Sequence, residues 1–558
     1  MKNQFSPFNP PANYWKKSRF QIVQLIINGL LKSSVVVGSY YWVKNLSSQI
    51  RNQQEINTHT IVYLLIAAGL IVALRVHERY VSEKMSQRYI NSLRSGLLKR
   101  LMRASVRNIQ ARTIGNLSSR LAGDLSALKR WLSLGISRLI THSLLLLLTT
   151  LLVFKINASL GVVISLTLMA LLVLSVLVGG FLKNSIRVVR RNRIAIHSLL
   201  VERLSSLATI RSMGKEGREV ARINKQAKKL EKNIAKQGVF LGFIRGIGDS
   251  SSLILISVFF VFNGLNNHVL ALDEITALIS IILFLNSPIR ELGRTQEYYQ
   301  GAKLSIAKIE ELYAIPRIVR GKSSHETIEK DSASLGRIEL RNTTVKETFK
   351  QLSVRAQNGE HIALTGTNGS GKSTLIQIVL GLIKVDSGFV RVNGSAPNKT
   401  PSLDRANHIG FASAEAGLIK GTLLENLCYR KGKENLQGFD ELMEFCQLNN
   451  LVKKLPKGLN TRILEKGKNL SSGEKARILL FRALLGKPAI LILDEPESYL
   501  DKQGLEIIKS LLGEYKGTIL MATHNIELIK LCHKEWNMDS LKKNKSPVRL
   551  INDYAENK

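Results

Sequence analysis

Apolar residues gather into six long runs in the first half of the chain, and then the pattern changes. The runs are Ile22–Tyr41, Ile61–Leu74, Leu139–Phe154, Leu160–Leu182, Val239–Phe262 and Leu270–Leu285. A helix needs about 20 mostly apolar residues to cross a bilayer. The second and third runs are short or flanked by polar residues, and any one run alone also fits a buried soluble helix. Six in half a chain predict transmembrane helices. The links alternate in kind. "NLSSQIRNQQEINTH", "KINAS" and "NGLNNHV" are short, whereas the two other gaps are long and basic, as in "IRVVRRNRIAIH" and "RINKQAKKLEKNIAKQ". Lys and Arg collect on the cytoplasmic side, which places the long gaps and both chain ends inside. The gaps keep helical periodicity without loop punctuation, so the helices are expected to continue into the cytoplasm.

After Pro316 the composition shifts. Gly321–Gly336 is polar and linker-like, and from Arg337 short β-like runs ("HIALTG", "GFVRV", "AILILDEP", "GTILMATH") alternate with helical ones. That alternation predicts an α/β domain. The expected organisation is a membrane α-helical bundle over 1–315, a linker over 316–336, and, since "GTNGSGKS" at Gly366–Ser373 has the P-loop pattern, a P-loop α/β nucleotide-binding domain over 337–558 with a short C-terminal tail.

Composition refines this picture without redirecting it. The 558 residues exceed one core. The 80 Lys plus Arg against 42 Asp plus Glu give a formal charge of +38. Such a charge points to nucleic acid or an anionic membrane surface. A DNA-binding ATPase would leave six apolar runs unexplained, so no nucleic-acid partner is expected and the bilayer is. The polar, proline-containing first twenty residues do not read as a cleaved signal peptide. Cys428, Cys446 and Cys532 have no metal-like spacing and read as reduced thiols.

The chemistry sits in the second half. "GTNGSGKS" supplies Gly366, Thr367, Asn368, Gly369, Ser370, Gly371, Lys372 and Ser373, with Thr374 next, between an apolar run and a helix-like one. That is the P-loop pattern and context. Backbone amides and a helix N-terminus cradle phosphates, Lys372 reaches the β/γ-phosphates, and the Ser373 hydroxyl suits Mg²⁺. "AILILDEP" is a buried strand ending in Asp494, suited to the metal shell through water or directly, and Glu495, suited to orienting or deprotonating the attacking water. "LMATH" ends a further strand at His524, a candidate γ-phosphate sensor.

Together these pieces resemble an ATP-binding cassette (ABC) transporter of the exporter type, membrane and nucleotide domains in one chain. "LSSGE", Leu470–Glu474, looks like the ABC signature, and "SYLD", Ser498–Asp501, like the D-loop. "TRILEKG" resembles the exporter X-loop, with its glutamate at Glu465. Thr113–Asp124 and "LLVERLSSLATIRSMGKE" resemble the family's two intracellular segments, and Pro288 sits where its sixth helix often has proline. The resemblance implies head-to-tail pairing of two nucleotide domains. Ser471, Ser472, Gly473 and Glu474 of one chain would then cap the ATP on the other's P-loop, with Ser498 and Asp501 beside them. A second copy of the chain is the expected partner, with a heterodimer as the alternative. The place expected is the plasma or inner membrane, with the ATP-binding domain cytoplasmic.

Ser472 and Glu474 stand where the family's signature more commonly has glycine and glutamine, and two further positions depart from the family pattern. Ala414 stands where a glutamine usually touches Mg²⁺ and water, and two readings stay open: Glu415 substitutes by a one-residue shift, or water completes the shell. Leu418 and Ile419 would then carry domain coupling by packing. The usual adenine-stacking aromatic falls near Glu347, which leaves Phe349 as the nearest ring. Ionisable residues inside the runs are functional candidates. Arg245 and Asp249 are four apart, as are Arg138 and His142. The plain reading makes them self-neutralising or interfacial pairs; the sharper one lines a substrate cavity with Arg245 and Asp249. The expected function is an ATP-driven export pump for an unidentified substrate. The alternatives are an ATP-switched channel or regulator, and an importer on the exporter fold.

Overall fold

The computed structural model describes residues 12–110, 112, 114–265, 271–316, 336–414, 416–430, 432, 438–498, 500–540 and 548–550, with no side-chain description at a few of these. The chain divides into two compact units, 1–102 with 110–315, and 103–109 with 316–558.

The first unit is helical. Its six long helices are α1 (Ala12–Arg51), α2 (Thr58–Leu101), α3 (Arg120–Ile156), α4 (Ala158–Ser205), α5 (Glu216–Leu265) and α6 (Leu272–Tyr313). All six carry an 18-residue window apolar enough to cross a membrane. At 1.5 Å per residue, helices of 37 to 50 residues reach well beyond a ~30 Å hydrocarbon core. Short links close the pairs, and an asparagine side chain caps the helix start after the first two. Asn57 Oδ1 accepts from His59 N at the start of α2, and Asn157 Oδ1 from Leu160 N at the start of α4. α3 is not uniform: Arg120–Asp124 and Trp131–Ile136 have π geometry. A buried cluster that includes Tyr40, Leu160, Ile164, Leu255, Phe259, Ile281 and Leu285 holds the helices together.

The second unit is built on a six-stranded sheet. The longer strands of this unit are β1 (Ile338–Val345), β2 (Phe349–Ala356), β3 (His361–Thr365), β4 (Ser387–Val392), β5 (Ile409–Ser413), β6 (Ile490–Asp494), β7 (Thr518–Ala522), β8 (Lys534–Asn537) and β9 (Val548–Leu550). The main sheet runs β9-β8-β3-β7-β6-β5, parallel except for β9. β2-β1-β4 form a separate antiparallel sheet. β3 and β7 are buried at every position, as a parallel strand covered on both faces requires. Two apolar cores include alternate residues of these strands: Leu491, Leu493, Ile519 and Met521 in one, Ile490, Ile492, Ile362 and Leu364 in the other. The short segment 103–109, upstream of Thr113–Asp124, groups with this unit. There Ser105 Oγ and Val106 N donate to Leu382 O at 3.5 and 3.4 Å.

Candidate functional site

Register alone assembles the site. Leu364 in β3 pairs with Ala522 in β7, Ala522 with Asp494 in β6, and Asp494 with Ser413 in β5. The residues that follow these strands therefore share one edge: the P-loop, Thr523–His524, Glu495 and Ala414. Ligands of parallel sheets bind outside that carboxyl edge.

The loop after β3 turns into α7 (Lys372–Val379). Gly371 has φ +110°, and a Cβ there would lie 2.8 Å from Thr348 Cγ2 and 3.1 Å from Phe349 Cδ1, so only glycine fits. Lys372 is buried. Its Nζ donates to Gly366 O at 2.6 Å and lies 2.9 Å from His524 Nε2, which acts as the acceptor. Ser373, Asn368 and Gly369 are exposed, and Thr374 is half-buried. Ser370 is buried and its Oγ lacks a hydrogen-bond partner. The Thr367 amide and hydroxyl are already engaged, donating to Asp539 at 2.6 and 2.8 Å.

Glu495 has φ +49°, a left-handed conformation that costs a non-glycine residue about 1–3 kcal/mol and is typical of functional sites. Its N–H donates to Ala522 O at 2.8 Å, while Ser498 N and Oγ donate to Glu495 O at 3.0 and 2.6 Å. Glu497 was not singled out by sequence. Its Oε1 accepts from Thr523 Oγ1 at 2.7 Å and His524 N at 2.8 Å, while Oε2 is buried without a partner. The only sequence signal for it is a third acidic residue two places after Glu495.

The signature is a helix start. Ser471 caps α8 (Ser472–Leu484) in a full capping box: Ser471 Oγ accepts from Glu474 N at 3.2 Å, and Glu474 Oε2 accepts from Ser471 N at 2.8 Å. A Cβ on Gly473 would lie 2.9 Å from Asp501 Oδ2. Asp501 caps α9 (Lys502–Glu514) through Gly504 N at 2.8 Å and lies 3.8 Å from Arg477. Ser471 and Ser472 are exposed, and Gly473 and Glu474 half-buried. Glu465 of the X-loop segment is exposed as well.

Several expectations change. Phe349 is only 6% exposed and belongs to the core beneath the P-loop, so its ring offers no open face to a base. The exposed residues at that turn are Lys346, Glu347 and Lys350, beside a cavity of about 830 Å³. Ala414 is exposed at the carboxyl edge, and its methyl can ligate nothing. Glu415 lies outside the described residues. Leu418 is buried and Ile419 exposed. In the membrane unit Asp249 pairs with Arg290 at 3.2 Å on α6, and Arg245 is exposed. Arg138 pairs with Glu291, and His142 Nδ1 lies 3.0 Å from Thr141 Oγ1. Neither i,i+4 pair neutralises itself. The thiols of Cys446 and Cys532 are both pushed up to about 12 by burial, which fits inert cysteines.

Mg²⁺ takes one or two carboxylates, waters and substrate phosphates. The exposed Ser373 hydroxyl at the start of α7 and Asp494 at the end of β6 are hard oxygen donors of that kind. Among the described residues, no group of three or more His, Cys, Asp or Glu could hold a metal without such help.

Fold and site define a membrane protein that carries a P-loop nucleotide-binding domain. Residues 19–289 match the family model described as ABC transporter transmembrane region, and residues 349–498 the one described as ABC transporter. The chain belongs to the ABC transporters, with membrane and ATP-binding domains fused in the exporter arrangement. It is 36% identical over 200 residues to the uncharacterized ABC transporter ATP-binding protein YfiB of Bacillus subtilis (strain 168), covering 34% of each chain. Against ATP-binding cassette sub-family B member 10, mitochondrial, of Mus musculus it is 27% identical over 375 residues, 64% of this chain and 52% of that one. The first curated relatives are thus matched over about a third to a half of their length. A longer match, 81% of this chain and 78% of the relative at 26% identity, is to the uncharacterized ABC transporter ATP-binding protein YknU of Bacillus subtilis (strain 168). The fold is that of a solved bacterial Atm1-family ABC exporter with ATP bound: TM-score 0.82, 17% identity, 97% of this chain and 98% of that one.

Proposed function

We propose that this chain is an ATP-driven export pump, two copies of which hydrolyse Mg-ATP to move an unidentified substrate by alternating access. The observation that carries the reading is the meeting of Lys372, His524 and Glu495 at the carboxyl edge of one sheet, in a chain with six candidate membrane spans among its described residues. Lys372 binds the β/γ-phosphates once it leaves Gly366 O and His524. Glu495, held by its backbone bond to Ala522, accepts a proton from the attacking water or orients it. His524 contacts the γ-phosphate. Ser373 and Asp494 would hold Mg²⁺, which when bound neutralises phosphate charge. In trans, Ser471, Ser472, Gly473 and Glu474 present a capped helix N-terminus to the phosphate bound by the other chain, with the D-loop residues Ser498 and Asp501 beside it. ATP then joins the nucleotide domains and hydrolysis releases them, which biases the membrane halves between two states. The membrane is the plasma or inner membrane, with the nucleotide domain cytoplasmic.

Exposed Ala414 and buried Phe349 favour a second reading, an ATP-bound switch that turns over little. The test is Mg-ATP hydrolysis by the purified chain in lipid, beside Glu495→Gln. The pump reading expects turnover in the wild type and at least about a hundredfold loss in the variant, roughly 2.7 kcal/mol of barrier. ATP binding without turnover in the wild type would replace the pump by the switch.

A further inference from the structure

The membrane unit holds an ionic layer that the export mechanism leaves unused. Lys32 lies 3.7 Å from Glu78, and Thr141 Oγ1 donates to Glu78 Oε1 at 3.0 Å. Glu291 is shared by Arg138 and by Arg294 at 3.3 Å, and Glu83 by Arg79 at 2.7 Å and Lys129 at 2.8 Å. Arg75, at the same level, has no carboxylate partner among the described residues. Lys32, Arg75, Arg79, Lys129, Arg138 and Arg294 thus outnumber Glu78, Glu83 and Glu291 two to one. In a site of low dielectric such an excess favours an anion.

The members of the layer nearest the short links have a defined depth, and Glu83 and Lys129 lie further from those links. Arg75 is 17 residues from the start of α2 at Thr58, Arg138 is 18 from the end of α3 at Ile156, and Glu291 is 19 from the start of α6 at Leu272. At 1.5 Å per residue each lies about 26–29 Å from the end of its helix at a short link. The hydrocarbon core is ~30 Å thick. With the short links outside, all three sit at the cytoplasmic headgroup boundary.

A cavity of about 560 Å³ opens there between α2 and α3, lined by Val72, Arg75, Val76, Arg79, Leu134 and Arg138 among others. Three arginines meet apolar walls in it, and the one carboxylate of its lining, Glu78, is engaged by Lys32 and Thr141. From it an exposed apolar strip continues up α2 through Val76, Val72, Ile66 and Leu65, each 60–68% exposed. A water-soluble anion has no use for that strip; an acyl chain does. Basic pockets between helices at the cytoplasmic boundary suit phospholipid headgroups.

We propose that this cleft binds an anionic phospholipid of the cytoplasmic leaflet, its phosphate on Arg75, Arg79 and Arg138 and its acyl chain along α2. The proposal uses the topology read from the sequence, but its test does not use hydrolysis. The purified full chain in zwitterionic detergent micelles is titrated with phosphatidylglycerol, with phosphatidylcholine and with glycerol 1-phosphate, and the thermal unfolding midpoint is read. Phosphatidylglycerol raises the midpoint in a saturable way, and the other two do not. Arg75→Gln with Arg79→Gln shifts the half-saturating lipid concentration upward tenfold or more, relative to its own lipid-free baseline. Arg75→Lys with Arg79→Lys recovers most of that affinity. Lys228→Gln with Lys232→Gln removes equal charge from the exposed part of α5 and leaves the titration unchanged. Equal weakening by both glutamine pairs would mean diffuse electrostatics and overturn the site. A comparable rise with glycerol 1-phosphate would make the occupant a soluble anion, and no rise with phosphatidylglycerol would remove the site altogether.

Discussion

Glu497 shows how much of this site rests on a side chain that need touch no nucleotide. One of its carboxylate oxygens accepts from the Thr523 hydroxyl and from the His524 backbone, and Thr523 Oγ1 in turn accepts from Asn525 N at 3.0 Å. The end of β7 is thereby tied to the turn after β6, and the imidazole that meets Lys372 hangs from that tie. Hydrogen bonds to a charged acceptor contribute about 1.5–3 kcal/mol each. Glu497→Ala is expected to lower kcat for ATP hydrolysis tenfold to a hundredfold, about 1.4–2.7 kcal/mol of barrier, with KM little changed. Glu497→Gln keeps a carbonyl oxygen in the same place and should recover most of the rate. If the two variants lose rate equally, or KM rises in step, Glu497 is a structural carboxylate and positions nothing. Glu495 makes a related point through its backbone. Its left-handed φ is held by the bonds to Ala522 and from Ser498, so the strain is carried by neighbours that chemistry alone would not nominate.

At the scale of elements, α8 begins with a carboxylate where the family more often has an amide. Glu474 closes the capping box on Ser471, so it stabilises the helix start while adding negative charge where a γ-phosphate is proposed to dock. The two effects separate by substitution. Glu474→Gln retains an acceptor for Ser471 N and removes the charge, so the unfolding midpoint should hold while half-saturating Mg-ATP falls severalfold. Glu474→Ala removes both, and loss of such a cap contact costs about 1 kcal/mol. An unchanged or higher half-saturating concentration in Glu474→Gln would show that the charge does not reach the nucleotide. Legibility also divides along element lines. The six apolar helices were readable because hydropathy over twenty residues is a local property, and the P-loop pattern is likewise local, Gly366, Gly371 and Lys372 lying within seven residues. The ionic layer was not readable: Arg138 finds Glu291, and Asp249 finds Arg290, across 153 and 41 residues, so local spacing pointed to the wrong partners. Phe349 misled for the opposite reason. It stood nearest the expected aromatic position, but the first residue of β2 turns its ring into the core.

For the whole molecule, one P-loop and one signature per chain raise a question of pairing. Among the described residues, the side-chain hydrogen bonds of Ser471 and Glu474 stay within their own capping box, so the exposed serines can face a second chain. Two differently tagged copies can decide the arrangement. One carries Lys372→Ala, which removes the phosphate ligand of its P-loop, and the other Ser471→Ala, which removes the signature hydroxyl. In a head-to-tail pair both defects fall on the same composite site, and the other site joins an intact P-loop to an intact signature. The mixed dimer, isolated through both tags, should then hydrolyse ATP well above either homodimer, at up to half the wild-type rate if the sites act independently. If each chain uses its own signature, every site in the mixed dimer carries one defect and no recovery occurs. The same preparation bears on coupling, because a dimer with one working site either drives the membrane halves or does not. Transport in sealed vesicles by that dimer would tell whether one hydrolysis event per cycle suffices in a chain whose edge position 414 offers only a methyl group.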